Sequence, residues 1–548
     1  MNLLLSIFAF ASVLLRGATL VLQSLVIGGA VFETLTLRAL GSSFAADLET
    51  ASRSARRLIF LSALALALTQ TIYLFVNSAV LMGTADLHFG EVIGANFFLA
   101  GCLTFAGALA LAFLSAKGGL SLSPAPMLLA AAVILAGSVM TNHAAARVDH
   151  RVWLIVLTAI HETATAVWIG GLPYLILALR RVRDDHAAEV LNLRFSRTAL
   201  VGVGFLGASG ILMSFSYVGS WAALYGTAYG VMLFAKMFLL GTLLVLGGLN
   251  FFMLRRIDHA EAMPRLRRFV ECEIGIGFTV VLAAASLTSQ PPAADLTTDR
   301  ASASEILERF TPTWPRLKSP DVKELSEPTL QVLRRAAKAG APTGLQSYIP
   351  GTTTTHPNTP SDIAWSEYNH NWVGLLIILF GGLALLSRTG KLPWARHWPL
   401  LFLGLAAFIF LRADPENWPL GPNGFWESFT NSEVLQHRLA VVMVICFGIF
   451  EWRVQTNRAR SQWASLVFPM VCATGGALLL THSHALGNIK DELLAEISHT
   501  WLALFAVLAG WARWLELRLQ GNDRRIPGWI WPICFILIGT VLVTYREA

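Results

Sequence analysis

Histidine is the residue type in this chain whose number and placement could support chemistry. The sequence has 13 histidines, and imidazole both binds first-row transition metals and transfers protons near neutral pH. Three of them, His186, His259 and His397, fall in loops of one predicted membrane face, where a solvated surface role is the default. The other ten lie in or beside the opposite, predicted outer face: His88, His143, His150, His161, His356, His370, His437, His482, His484 and His499. This asymmetry predicts that the functional polar chemistry is concentrated at one face.

His143 and His161 form the first candidate pair. His143 ends an apolar stretch in Thr141-Asn142-His143, and His161 lies two to three turns inside the next stretch. A polar residue inside a membrane helix costs a few kcal/mol, so it is generally kept for a site or for a hydrogen bond between helices. The pair therefore predicts metal or haem ligation, with a helix-to-helix hydrogen bond as the alternative.

A second group of histidines lies near the ends of three later apolar stretches. Ligands that converge from separate helices are what a metal site in a bundle requires. The HxH pair alone is weak, because its two rings diverge on a regular helix. The group consists of His437, His482, His484 and His499. It predicts a metal site, against interfacial hydrogen bonding or histidines at the membrane surface.

The residue types do not choose the metal. Imidazole suits Cu, Zn, Fe and Ni alike, whereas thioether shifts the preference toward Cu(I). Methionines on the outer side favour Cu(I) only weakly, because a methionine in an apolar helix is generally a packing residue. Lys236 lies deep in an apolar stretch and could neutralise a carboxylate or a haem propionate, or bond to a helix carbonyl. Glu162 could orient an imidazole or relay protons.

These residues must be positioned by membrane helices. The chain has 548 residues, of which 55% are apolar and 14% charged, and apolar runs of about 18 residues or more recur along it. We therefore predict an all-α polytopic bundle with fourteen transmembrane helices. The predicted spans are 11–36, 58–79, 94–115, 125–142, 152–179, 198–217, 230–254, 270–289, 370–387, 395–411, 434–452, 463–482, 497–512 and 527–545.

The distribution of Lys and Arg predicts the orientation of these spans. Basic residues concentrate in alternate loops, and cytoplasmic loops keep such an excess. The expected location is the bacterial inner membrane with both termini outside, and the first stretch is expected to be a retained helix. The formal net charge of +7 then reflects topology and contact with anionic lipid, and no nucleic-acid partner is expected.

The composition predicts two membrane modules joined by an outside segment. Residues 1–290 hold eight predicted helices and residues 369–548 hold six. Residues 291–368 are rich in Pro, Thr, Ser and charge; we expect short amphipathic helices within 301–339 and a flexible connector at 340–362. Neither CxxCH nor a P-loop motif occurs.

An ordered set of motifs resembles a known family, the CopD or PcoD type of bacterial copper-resistance membrane proteins, over residues 10–292. The matching pieces are Asn142-His143-Ala144-Ala145-Ala146, His161 followed by Trp168-Ile169-Gly170-Gly171-Leu172, Phe234-Ala235-Lys236 with Asn250, Pro264-Arg265-Leu266-Arg267-Arg268, Glu273, and Leu287-Thr288-Ser289. Residues 366–548 look like the companion module of longer members, with Gln436-His437-Arg438 and His482-Ser483-His484. Similar proteins often carry a histidine in the first helix soon after the arginine, whereas the stretch from Arg16 to Phe32 has none.

The resemblance implies copper handling at the periplasmic side. Our first hypothesis is a copper transport or tolerance protein, more a metal-binding transporter than an enzyme, in which the six histidines of the two groups receive Cu(I) or Cu(II), with a periplasmic copper-binding protein as a partner. The second is a b-type haem protein that passes electrons from quinol to periplasmic copper or another acceptor, with paired histidines as axial ligands. The third is a scaffold whose histidines only satisfy helix contacts.

Overall fold

A computed structural model describes residues 2–38, 45–85, 87–117, 123–256, 259–298, 300–321, 325, 359–415, 417–428, 432–459, 461–481 and 490–547. Within these residues the chain is helical and contains no strand. The all-α prediction is therefore confirmed. The chain divides into two compact units, one of residues 1–224 and 232–297 and the other of residues 225–231 and 298–548.

The first unit is built mainly from long helices joined by short connections. The helices are α1 (Asn2–Val31), α2 (Ala45–Ala85), α3 (Phe89–Ile93), α4 (Asn96–Lys117), α5 (Ala125–Met140), α6 (His143–Ala146), α7 (Arg151–Thr165), α8 (Leu172–Arg181), α9 (Asp185–Tyr217), α10 (Trp221–Tyr225), α11 (Ala228–Arg256) and α12 (His259–Thr288). Two π-helical turns, Phe32–Leu37 and Ala166–Gly170, continue α1 and α7. The long connected helix from α7 to α8 thus carries the WIGGL string.

The second unit begins with a short amphipathic helix, which is followed by a bundle. Its helices are α13 (Ala303–Phe310), α14 (Pro360–Arg388), α15 (Leu401–Arg412), α16 (Phe425–Ser428), α17 (Ser432–Gln455), α18 (Gln462–Thr481), α19 (Lys490–Arg518) and α20 (Arg525–Val543). Short 3-10 helices, Pro393–Leu400 and Gly521–Arg524, precede α15 and α20. Most of the predicted amphipathic and connector segment after residue 321 lies outside the described residues.

Eleven helical stretches of the described residues are long and apolar enough to cross a membrane. Each of the fourteen predicted spans falls on a helix, but α5 is apolar and has only 16 residues. The two other helices outside the eleven, α17 and α19, carry charged residues such as Arg438 and Glu451 in the first and Arg513 and Glu516 in the second. The protein is a polytopic helical membrane bundle, and the count of fourteen stays a prediction.

In the first unit, α1 packs against the π-helical turn at Ala166–Gly170 through glycines. A methyl group on Gly170 would overlap the Ser24 carbonyl oxygen, and one on Gly28 would lie 2.6 Å from the Gly170 carbonyl carbon. Backbones that approach this closely admit no side chain, which is how small residues join membrane helices. The WIGGL string therefore fixes the position of α7, and with it His161, against α1.

The second unit is closed by an aromatic core and a buried charge network. Phe380, Phe402, Phe468 and Trp531 pack in one cluster. Next to Trp531, Arg513 of α19 pairs with Glu451 at 2.7 Å and with Glu516 at 2.6 Å. Arg388 of α14 also pairs with Glu516, and the Trp531 indole donates to the same carboxylate at 2.6 Å. Charges carried by α14, α17 and α19 thus compensate one another away from water.

Candidate functional site

His161 projects from α7 toward α9. Its Nδ1 lies 3.1 Å from the Ser209 hydroxyl oxygen. That hydroxyl donates its single proton to the Phe205 carbonyl oxygen at 2.6 Å, so it accepts from the imidazole. Nδ1 therefore carries the proton, and the lone pair of His161 is on Nε2.

His143 opens the four-residue helix α6, directly after Asn142. Its ring meets the Tyr217 ring edge to face at 6.4 Å between centroids, and its Nε2 is buried with no hydrogen-bond partner among the described residues. Burial lowers the pKa of the His143 imidazole below its usual value of 6.5, and the nearby Arg16 cation lowers it further. His143 is therefore a neutral base near neutral pH, with an unused nitrogen.

The residues that adjoin these two histidines in the chain, Asn142 and Glu162, belong to one polar network centred on Glu162. Asn142 donates to Glu162 Oε1 at 2.5 Å, and Gln23 of α1 donates to Glu162 Oε2 at 2.9 Å. Arg16 donates to Asn142 Oδ1 at 2.6 Å and to the Thr141 hydroxyl at 2.7 Å. Asn142 thus bridges the cation of α1 and the carboxylate of α7. Glu162 accepts its described hydrogen bonds from the side-chain amides of Asn142 and Gln23. Its role in orienting an imidazole stays a prediction.

A small polar cavity borders this network. It is lined by Arg16, Thr19, Gln23, Gln70, Ser138 and other residues of α1, α2, α4 and α5. Its volume of about 10 Å³ is near the minimum that holds one water molecule. Arg16, Thr19 and Gln23 of α1 therefore line an internal cavity of the bundle.

Lys236 of α11 lies close enough to His161 for its charge to act on the imidazole. Within the described part of the chain, no carboxylate pairs with it. Asn250, roughly 21 Å farther along the same helix, donates to Glu273 of α12. Lys236 as a cofactor-binding residue stays a prediction.

In the second unit, His437 of α17 is held by a carboxylate. Its Nδ1 lies 2.8 Å from Asp414 Oδ1, just beyond the end of α15. Arg438 secures the same region by donating to the carbonyl oxygens of Phe410 and Trp418 at 2.8 and 2.6 Å. The carboxylate accepts from Nδ1–H, so the Nε2 lone pair of His437 is directed away from Asp414.

His499 of α19 lies beside two rings that the sequence did not group with it. Its ring lies 6.1 Å from that of His370 in α14 and 6.0 Å from that of Tyr545, between centroids. His482 and His484 lie outside the described residues. Among the described residues, no group of three or more His, Cys, Asp or Glu side chains is arranged to hold a metal ion. The six predicted ligands stay a prediction.

Sequence reasoning missed the partners of these histidines. His370 was predicted among the ten outer-face histidines but was not grouped with His499. Asp414 follows the tenth predicted span directly, and an acid at a span end is a usable signal. Ser209 and Tyr545 carry no signal of their own, because serine and tyrosine are common in membrane helices for packing reasons.

The comparisons with known proteins agree on copper. The profile of the family described as Copper resistance protein D matches residues 190–287. This chain carries a CopD-type copper-resistance region. The matched residues include Ser209, Lys236 and Glu273; His143 and His161 precede them.

A relative from Bacillus subtilis (strain 168), described as Copper transport protein CutJ, is 34% identical over 161 residues. That alignment covers 29% of this chain and 29% of the relative. The chain therefore matches less than a third of the relative's length. No solved structure matches the chain significantly. Both named matches are described as copper proteins, one of copper resistance and one of copper transport.

Proposed function

We propose that this CopD-type protein binds copper as its cargo through histidines at its periplasmic face, and passes it on as a transport or tolerance protein. The cargo enters from the periplasmic side of the bacterial inner membrane, and both termini face that side. A periplasmic copper-binding protein is the expected donor or acceptor. The proposed ligands are His143 and His161 in the first unit, and His437, His482, His484 and His499 in the second.

One observation carries this proposal: an oxygen atom holds Nδ1 of a predicted ligand in each unit. Ser209 accepts from His161, and Asp414 accepts from His437. Metal-binding histidines almost always donate their other ring N–H in this way, which fixes the tautomer and raises the basicity of the ligating nitrogen. His143 adds a buried Nε2 that has no partner among the described residues.

A histidine of the opposite predicted face provides a contrast. His397 accepts at Nδ1 from the Trp452 indole N–H at 2.9 Å. Its proton is then on Nε2, so this neutral ring offers no lone pair to a metal. The arrangement of His161 and His437 is therefore not a general property of the histidines in this bundle.

The orientation rests on charge and on the histidines themselves. Lys and Arg are concentrated in the loops opposite the histidine-rich ends, which indicates the cytoplasmic side. Copper that reaches His143 or His437 would then come from the periplasm. A cysteine accessibility assay on single-cysteine variants at residues 87 and 186 would test this orientation, with labelling from outside expected only at 87.

The deciding experiment is copper binding by the full chain purified in detergent, titrated separately with Cu(I) and Cu(II). We expect tight binding that is reduced in His143→Ala with His161→Ala, and separately in His437→Ala. His88→Ala is the matched control, because that side chain lies on the same predicted side and is 94% exposed. In vesicles containing the protein, copper should cross the bilayer faster than in vesicles without it.

Two results would overturn the proposal. The first is wild-type protein that binds neither oxidation state of copper. The second is a Soret absorption band that disappears in the same histidine variants, which would assign these residues to a b-type haem.

A further inference from the structure

Three aromatic side chains of the second unit meet at one end of α14, α19 and α20. The His370 ring stacks on the Tyr545 ring with 4.0 Å between centroids and 26° between planes. His499 stands almost perpendicular to His370, at 82° and 6.1 Å. His499 thus lies beside the stack of His370 and Tyr545, at nearly the same distance from both rings.

The tautomer of His370 is defined by a carbonyl group. Nδ1 lies 2.8 Å from the Ser366 carbonyl oxygen, which can only accept a hydrogen bond. Nδ1 therefore carries the proton, and the lone pair is on Nε2. This is the second-sphere arrangement that is typical of metal-binding histidines.

The spacing of the two rings suits one shared ion. An imidazole nitrogen lies about 2 Å from a bound first-row metal, so the centres of two rings that share an ion are roughly 5–6 Å apart. The observed 6.1 Å lies just beyond the upper end of this range.

We propose that His370 and His499 bind one Cu(I) ion between them, as a site separate from the His161 and His437 positions. This inference rests on the proposed function and adds His370 to its ligands. Two imidazoles suit Cu(I), which accepts two ligands, better than Zn²⁺, which takes four in structural sites. Among the described residues, no third His, Cys, Asp or Glu completes a larger ligand group.

Glu547 positions Tyr545 by accepting a hydrogen bond from it. Its Oε2 accepts from the Tyr545 hydroxyl at 2.8 Å and also from the Ser366 hydroxyl. Glu547 therefore links Tyr545 to Ser366, whose carbonyl oxygen orients His370. The Tyr545 ring, which is 5% exposed, covers one face of His370 and limits its contact with water.

The segment after α13 is anchored on two sides of this cluster. Arg546 donates to the Thr311 carbonyl oxygen at 3.0 Å. Farther along, the Arg316 backbone N–H donates to the Asn371 side chain at 2.6 Å, next to His370. Residues Thr311 and Arg316 are thus held by the chain neighbours of Tyr545 and His370.

The test is a Cu(I) titration of the full chain in detergent under anaerobic, reducing conditions, in competition with a coloured Cu(I) chelator. Wild-type protein and His88→Ala should bind the same number of equivalents. His370→Ala with His499→Ala should lose one equivalent and retain those that depend on His143, His161 and His437. An unchanged number of equivalents, with unchanged affinity, would overturn the site.

A second measurement avoids the risk that the double variant fails to fold. Wild-type protein, with and without Cu(I), is treated with diethylpyrocarbonate, and the modified histidines are located by mass spectrometry. Cu(I) should protect His370 and His499 at least tenfold, while the exposed His88 and His186 stay reactive. Equal modification of His370 with and without Cu(I) would overturn the site.

The two proposals fail in different ways. If wild-type protein binds no copper, both are overturned. If it binds copper at the other histidines while His370 and His499 show neither protection nor a lost equivalent, the present inference and the assignment of His499 as a ligand are overturned, and copper binding by the protein stands.

Discussion

Gly374 and Gly539 pack backbone against backbone where α14 crosses α20. A methyl group on Gly374 would lie 2.7 Å from the Gly539 carbonyl oxygen and 2.6 Å from the Val543 backbone nitrogen. His370 lies one helical turn before Gly374, and Tyr545 follows the end of α20. The crossing therefore sets the distance at which the His370 and Tyr545 rings stack.

Replacing Gly374 by alanine should destabilise the second unit. The added methyl must displace backbone, and overpacking of this kind costs about 1–3 kcal/mol. Thermal unfolding in detergent measures the effect. Gly382→Ala on the same helix is the control, because a methyl there meets no atom within 4 Å. Equal melting temperatures for the two variants would contradict the role of the crossing.

Gly170→Ala should be more damaging than Gly207→Ala. The first adds a methyl that overlaps the Ser24 carbonyl oxygen, whereas the second points into open space. We expect Gly170→Ala to lower the yield of folded protein and its melting temperature, and to weaken copper binding by displacing His161. If Gly170→Ala matches Gly207→Ala in size-exclusion profile and melting temperature, the close approach of α1 and the WIGGL string is wrong.

Asp414→Asn should weaken copper binding at His437 without removing the ligand. The amide lacks the negative charge that favours Nδ1–H, and loss of such a partner typically reduces metal affinity about 10–100-fold. Competition titration with Cu(I) is the measurement, and Glu308→Gln, an exposed acid in α13, is the control. An affinity equal to that of the control would mean that Asp414 does not orient a ligand.

Glu162 and Arg16 should be energetically coupled, because Asn142 joins them. Removing the carboxylate with Glu162→Leu leaves the Asn142 and Gln23 amides without their acceptor, at a cost of about 1–3 kcal/mol. In a cycle with Arg16→Met, the double variant should lose less stability than the sum of the singles, by about 0.5–3 kcal/mol. The free energy of unfolding in mixed detergent measures each variant. Strict additivity would show that the bridge transmits no interaction.

Glu516→Gln should destabilise the second unit strongly. It leaves the buried Arg513, only 5% exposed, and Arg388 without a shared anion, and breaking one partner of a buried pair costs about 3–5 kcal/mol. The exposed pair of Glu49 and Arg53, with side chains 66% and 73% exposed, supplies the comparison. Glu49→Gln should cost less than about 1 kcal/mol. Similar denaturation midpoints for both variants would contradict the structural role of the network.

The sequence alone was sufficient for the membrane class, the helical fold and the choice of histidine as the residue to follow. Hydropathy is a local property, so a window of residues indicates a span regardless of the rest of the chain. Hydropathy indicates α17 and α19 less clearly, because their charged residues lower the mean hydropathy of the window. Those charges are tolerated because Glu451, Arg513 and Glu516 neutralise one another across helices.

Only the tertiary structure decided which groups meet. The sequence separated His370 from His499 and said nothing of Asp414 beside His437 or of Ser209 beside His161. Such pairs depend on the rotation and axial register of helices that are distant along the chain. Register is set by close contacts, such as Gly374 with Gly539 and Gly170 with Ser24. A shift of one residue would turn a side chain by about 100° around its helix, so a pattern of residue types can place a histidine at a depth but cannot choose its partner.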